Sequence, residues 1–444
     1  MATEHGLQVR PISSNAITFE KPYCYILRMP SEILDMIVDH IDIEPPSIRN
    51  FYEATTHKAT QSECQDIKNL SFTCRVLRAI ALPQLFRALR IEFGDISKVF
   101  ENLHLFNVHR RYKVRSICLT FPTHQNILPF PITNKSLAER NLIPNLCRQV
   151  FRNSKERVFT VVGSSAELAF ITGISLDYTT TDFLCHSMTQ YMQFRSSDKV
   201  TLDIELQKSS GQPFPISLLN VFPWTSFYIN EGNFAPEYTM YEHYLRRPPS
   251  ILVTMVIGFH RYYSDSRYNL TNPIPFIFFS LLRTFSYTAV FPLSIQVEAV
   301  SRLASMLPNL KKFELQLAPT PSERSMWRGC KSIDPHDLWT EFEMSYVYIF
   351  TRLKVCLKPP GTAAILPSDS ENYLRLATDI QEIRFRDNVE SEARATIQGL
   401  RCPFDYMQNM KRCLPLEDGR WARYDTLKPS TNRDKGSGDQ LWVM

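Results

Sequence analysis

Leu310-Lys311-Lys312-Phe313-Glu314-Leu315-Gln316-Leu317 is the stretch on which the fold turns. Apolar side chains at 313, 315 and 317 alternate with polar ones, the period of two that a half-buried strand requires. Just upstream, Val300, Leu303 and Leu307 step by three and four, which fits one face of a helix. A helix feeding a strand predicts an α/β layer. Five further runs have a related pattern: Val114, Ile117, Leu119; Val200, Leu202, Ile204, Leu206; Leu252, Met255, Ile257; Phe350, Leu353, Val355; and Ile380, Ile383, Phe385. Each is expected to be a strand with one buried face.

These runs resemble the LxxLxL core of leucine-rich repeats. They start unevenly, at 114, 252, 310, 350 and 380, whereas a regular repeat recurs every ~20–29 residues. Two readings therefore stand side by side over residues 94–415: a degenerate repeat array with insertions, or an α/β domain unrelated to repeats.

The first coherent block precedes this region. Pro30 suits a helix start, and Glu32 lies favourably near the positive end of the helix dipole. Ile33, Leu34, Ile37, Val38 and Ile41 then form an apolar stripe, and Pro45-Pro46 ends the element. Residues 42–65 read as a long polar loop. A second helix is predicted from Asp66 through Ile67, Leu70, Cys74 and Leu77, with a break at Leu82-Pro83. A short third helix should carry Leu85, Phe86 and Leu89.

Met29-Pro30-Ser31-Glu32-Ile33-Leu34 resembles the opening of an F-box, usually Leu-Pro-x-Glu-Ile-Leu. Asp66 to Arg75 is similar to its second helix, and Leu82-Pro83-Gln84-Leu85-Phe86-Arg87 to the ending common in fungal members. Met29 stands for the usual leucine, Leu77 for a frequent tryptophan, and 42–65 is an insertion. The resemblance covers 25–93. It implies a Skp-type adaptor as partner, and through it a cullin–RING ubiquitin ligase, with chemistry on another subunit. By position, it implies adaptor contacts at Met29, Pro30, Ile33, Leu34, Ile37, Leu70, Cys74 and Phe86. The helical periodicity leaves Ile37 and Leu70 equally open to a place in the module's own core.

The expected fold class is thus mixed, α+β or α/β. A small three-helix F-box-like module (25–93, with 42–65 inserted) follows a flexible lead (1–24). A larger irregular leucine-rich-repeat-like domain (94–415) and a C-terminal tail (416–444) come after it.

Composition narrows the function. Only 13 of 444 residues are glycine while 29 are proline, which disfavours Gly-rich phosphate loops. The net charge of +5 is spread along the chain, and the densest basic run, His109 to Arg115, adjoins an apolar alternation. No nucleic-acid partner is expected. Met1 to Val9 holds no apolar signal core, and none of the ten cysteines forms a CxxC pair, so reduced thiols and a cytoplasmic or nuclear location are expected. Residues 273–300 are strongly apolar, but Arg283 and prolines 273, 275 and 292 interrupt them, which predicts buried core rather than a membrane span. No GxSxG, HExxH, GxGxxG or P-loop pattern occurs. Neither Cys185-His186 nor the Asp334-Pro335-His336-Asp337 cluster supplies a second motif. No catalytic residue, cofactor or metal is expected. The sequence predicts a binding protein with an unidentified protein target. A repeat-like interaction protein outside any ligase is the first alternative, and an enzyme with a dispersed site the second.

Overall fold

The computed structural model describes residues 25–41, 44–56, 65–102, 113–122, 134–152, 154–174, 188–197, 218–235, 238, 250–256, 274–319, 335–356, 380, 382–386, 413–416 and 420–423. The lead 1–24, the run 200–206, Cys185-His186 and the tail beyond 423 lie outside these residues.

The fold is mixed α/β, built on one ten-stranded sheet. Its strands are β1 (Ala88–Glu92), β2 (Ser116–Thr120), β3 (Glu156–Gly163), β4 (Gln190–Ser197), β5 (Ser226–Asn233), β6 (Thr284–Val290), β7 (Lys312–Gln316), β8 (Glu382–Phe385), β9 (Cys413–Leu416) and β10 (Arg420–Arg423). From β1 to β8 the spatial order is the sequence order, and β10 then β9 complete the far edge. Pairing is parallel except where β4 runs against both its neighbours and where β10 joins β8 and β9. Parallel neighbours need a crossover. Helices supply it: α5 (Ile96–Glu101), α6 (Asn134–Val150), α8 (Ile274–Leu281), α9 (Ser294–Met306) and α10 (Pro335–Cys356), with α7 (Ser165–Thr172) between β3 and β4. Ala88 pairs with Ser116 and Thr284 with Lys312, so two of the five parallel crossovers span 28 residues (116 − 88 and 312 − 284).

Register places like side chains in rows across the sheet. Leu89, Ile117, Phe159, Phe194, Phe227, Phe285, Phe313 and Ile383 are successive partners on β1 to β8. The rings of Phe194, Phe227, Phe285 and Phe313 stack at 5.3, 5.9 and 5.6 Å between centroids. A second row runs Ile91, Leu119, Val161, Met192, Ile229, Tyr287 and Leu315. Both rows sit in the main core with the inward faces of the helices, among them Leu146, Phe278, Val300 and Phe342.

The Leu310–Leu317 reading holds, with α9 before β7, and so do the runs at 114–119 (β2) and 380–385 (β8). Two do not. Leu252 and Met255 lie in a helical segment at 251–256, and 350–355 is the last part of α10. Apolar residues at i and i+3 fit a helix face as well as a strand, and here the helix prevails. Of residues 273–300, those from 274 on are described and hold α8, β6 and the start of α9. Among the described residues no helix is long and apolar enough to cross a membrane.

The N-terminal helices are α1 (Ser31–Ile41), α2 (Pro46–Arg49), α3 (Gln65–Thr73) and α4 (Arg75–Leu85). The expected break at Leu82-Pro83 is absent: Pro83 lies inside α4, in its last turn, and the helix runs on to Leu85 although the proline has no N–H to donate. The chain breaks instead at Cys74, whose Sγ accepts the amide of Leu77 at 3.5 Å and caps α4. Leu89 is in β1, not in a third helix, and Ala88–Glu92 joins the sheet two residues after Phe86.

Candidate functional site

Two surfaces stand out, one on the N-terminal helices and one on the sheet. In the helices, Leu34, Val38, Ile67, Leu77 and Ala81 are buried. Leu34, which the F-box resemblance implies as a contact, is only 2% exposed and so belongs to the helical core. Met29, Pro30 and Ile33 are exposed, while Ile37, Leu70, Cys74 and Phe86 are half-buried. Seven of the eleven exposed large apolar side chains among the described residues fall here: Tyr25, Leu27, Met29, Ile33, Met36, Phe72 and Val76. Scattered apolar residues are ordinary on a surface; such a concentration on one small unit makes it a candidate interaction surface.

The second surface is the sheet face opposite the helices. Tyr191, Asn230, Thr288 and Gln316 form one row across β4 to β7, and Gln193, Tyr228, Ser286, Glu314 and Arg384 the next, across β4 to β8. The chain's own segment 44–56 lies on them. Gln193 Nε2 donates to Ser47 O at 3.1 Å, and Asn230 Nδ2 to Phe51 O at 2.7 Å and Glu53 O at 3.0 Å. Gln316 Nε2 donates to Tyr52 O at 3.2 Å, and Tyr191 Oη to Thr56 O at 2.5 Å. Phe51 is fully buried among Tyr191, Tyr228 and Tyr52. Tyr52 donates its hydroxyl to Glu314 Oε2 at 2.9 Å, and the Arg386 guanidinium lies 3.6 Å from its ring centroid. Gly232 has φ +87°, and a Cβ there would come within 2.7 Å of Thr55 Oγ1. A side chain at this position would therefore be strained and would push on the segment.

Glu314 gathers cations: Lys312 Nζ at 2.8 Å, Arg386 Nη2 at 3.3 Å and Arg384 Nη1 at 4.0 Å. Burial pushes its carboxyl up, but the Lys312 hydrogen bond and the two nearest positive charges outweigh that and hold it below the ordinary carboxylate range.

A different glutamate lies on the helix side. Glu231 is fully buried and accepts Ser250 Oγ at 2.5 Å and Tyr287 Oη at 2.8 Å. Burial pushes its carboxyl up to about 7, against the pull of those two bonds. The native value exceeds the unfolded one, so native protein holds the proton more tightly. The contribution of Glu231 to stability is full below about pH 4.5 and is lost as pH rises through about 7, by on the order of 3 kcal/mol. Glu231→Gln stays neutral, so urea midpoints at pH 5 and pH 8 should differ less in the variant than in the wild type. Glu167, also raised to about 7 by burial, leaves a residual slope. A variant with the wild-type slope would show that Glu231 ionises in the fold without cost.

Sequence reasoning missed the seating of 44–56. The available signal was Phe51-Tyr52, an aromatic pair inside an otherwise polar insertion. Among the described residues no group of His, Cys, Asp or Glu could hold a metal ion. Comparison of the chain with known protein families finds no match, and comparison with curated proteins finds none either.

Proposed function

We propose that the chain is a substrate-recruiting subunit of a cullin–RING ubiquitin ligase, a binding protein and not itself an enzyme. Its α1, α3 and α4 take a Skp-type adaptor, and the sheet domain captures a protein target, in the cytoplasm or nucleus. The observation that carries this is the apolar surface on the helices, formed at the residues that resemble an F-box. Such side chains suit a partner's helices in a helix-in-groove contact. A repeat-like origin for the sheet domain is supported by its sequential strand order and by the two 28-residue spacings, which fall within the leucine-rich-repeat period. Sequential order also leaves no strand-order reversal across β1 to β8, the place where open α/β sheets bind small ligands.

The test is calorimetric titration of the full chain with a purified Skp-type adaptor, where one-to-one binding is expected. Because Leu34 is core, the informative substitutions are Ile33→Asp and Met36→Asp, both on exposed positions of α1. Burying an aliphatic side chain contributes roughly 1.5–3 kcal/mol. Each variant should therefore lose about ten- to a hundredfold in affinity while circular dichroism stays native. No binding by the wild type, or unchanged binding by both variants, defeats the assignment.

A further inference from the structure

We infer that the polar face of β4 to β8 is a peptide-binding site, and that residues 44–56 are its built-in occupant. The target is a peptide segment carrying an adjacent aromatic pair, of which the second ring bears a hydroxyl. This rests on the proposal that the sheet domain captures a protein target.

The mode of contact supports a ligand-like role. Four side chains of the face, Gln193, Asn230, Gln316 and Tyr191, reach five main-chain carbonyls of the segment, at Ser47, Phe51, Tyr52, Glu53 and Thr56. Donors aimed at carbonyls recognise any peptide backbone held at that height. Selectivity then comes from side chains. The cage of Tyr191 and Tyr228 accepts a flat ring at the Phe51 place. Glu314 and Arg386 select the next residue, one by accepting its hydroxyl and the other by stacking on its ring.

The occupant also fits imperfectly. Thr288 stands between Asn230 and Gln316 in the same row, is 2% exposed, and its Oγ1 has no hydrogen-bond partner. A buried hydroxyl without a partner is costly, and a peptide with a polar group at that place would satisfy it. The segment thus holds the face closed while leaving a better ligand room to compete. The segment belongs to the same chain as the face, so its docking is intramolecular and a free copy of the same peptide competes poorly with it.

The experiment uses the full chain and a fluorescein-labelled peptide of residues 44–56. Phe51→Ala with Tyr52→Ala in the chain weakens the tethered copy. Fluorescence anisotropy should then show the peptide binding this variant at least tenfold more tightly than the wild type. A peptide with alanine at both aromatic places should not bind. Hydrogen exchange on the wild-type chain gives the second measurement: amides of 44–56 should exchange faster than those of β5 and β6, through openings that leave the sheet intact. A natively folded variant that does not take up the peptide overturns the inference. So does a variant that loses its fold, or exchange of 44–56 only in step with the strands, since either makes the segment a fixed part of the structure. The adaptor titration reads α1, α3 and α4, so failure there and failure here are separate results.

Discussion

Phe227→Ala should lower the stability of the chain by about 3–5 kcal/mol, the usual cost of truncating a fully buried phenylalanine. Phe227 is completely buried at the centre of the phenylalanine row. It stacks on Phe194 and Phe285 and meets the edge of Phe278 on α8 at 5.6 Å. Its removal opens a cavity that neither β4 nor β6 can close, because each is fixed by strands on both sides. Phe227→Leu keeps most of the volume and should cost less than about 1.5 kcal/mol. Urea unfolding monitored by circular dichroism measures both. A loss under about 1 kcal/mol for the alanine variant would show that the row is not one continuous core.

Glu314→Ala is the second large effect, with an expected loss of about 3 kcal/mol. The carboxylate is 3% exposed, whereas Lys312, Arg384 and Arg386 are each about a third exposed or less. Those cations can still hydrate, which places the cost at the low end for a broken buried pair. Tyr52 loses its acceptor as well. The pH dependence runs opposite to that of Glu231. A carboxyl held below its ordinary range stabilises the fold above the unfolded value of about 4.5, and the contribution disappears as pH falls through the lower native value. Glu314→Gln should therefore flatten the acid limb of the stability curve below about pH 4.5, while Glu231→Gln flattens the limb between about 4.5 and 7. An acid limb that is unchanged in Glu314→Gln would mean the cations do not depend on this carboxylate.

The two sides of the sheet differed in how far sequence revealed them. β2 and β7 alternate cleanly and were legible. β3 carries Val158-Phe159-Thr160-Val161-Val162, all buried, because the helices cover one face and 44–56 helps to cover the other. β2 and β7 are buried on both faces too, but Ser116, Thr120, Glu314 and Gln316 keep their alternation, whereas β3 puts Val158 and Val162 on the far face and reads as an undifferentiated apolar run. Phe350, Leu353 and Val355 show the reverse error, since helical and strand spacings share the i, i+3 step. In the N-terminal module, the apolar stripe of α1 was visible, but not which side of it faces inward. Leu34 and Ile33 are neighbours in sequence, yet one is core and the other surface. The sheet face was illegible for another reason: Tyr52 meets Glu314 across 262 residues, and no local pattern encodes that meeting.

That separation sets an order of events in synthesis. A chain grows at roughly 5–20 residues per second, so about 13–50 s pass between the making of Tyr52 and that of Glu314. Each crossover between strands adjacent in sequence can close as it emerges, because its contacts are comparatively local. Phe51 can rest on β4 and β5 once they are made, but Tyr52 finds Glu314, Gln316 and Arg386 only after β7 and β8 have followed. Every newly made molecule therefore passes through an interval in which its aromatic pair is made but only partly seated.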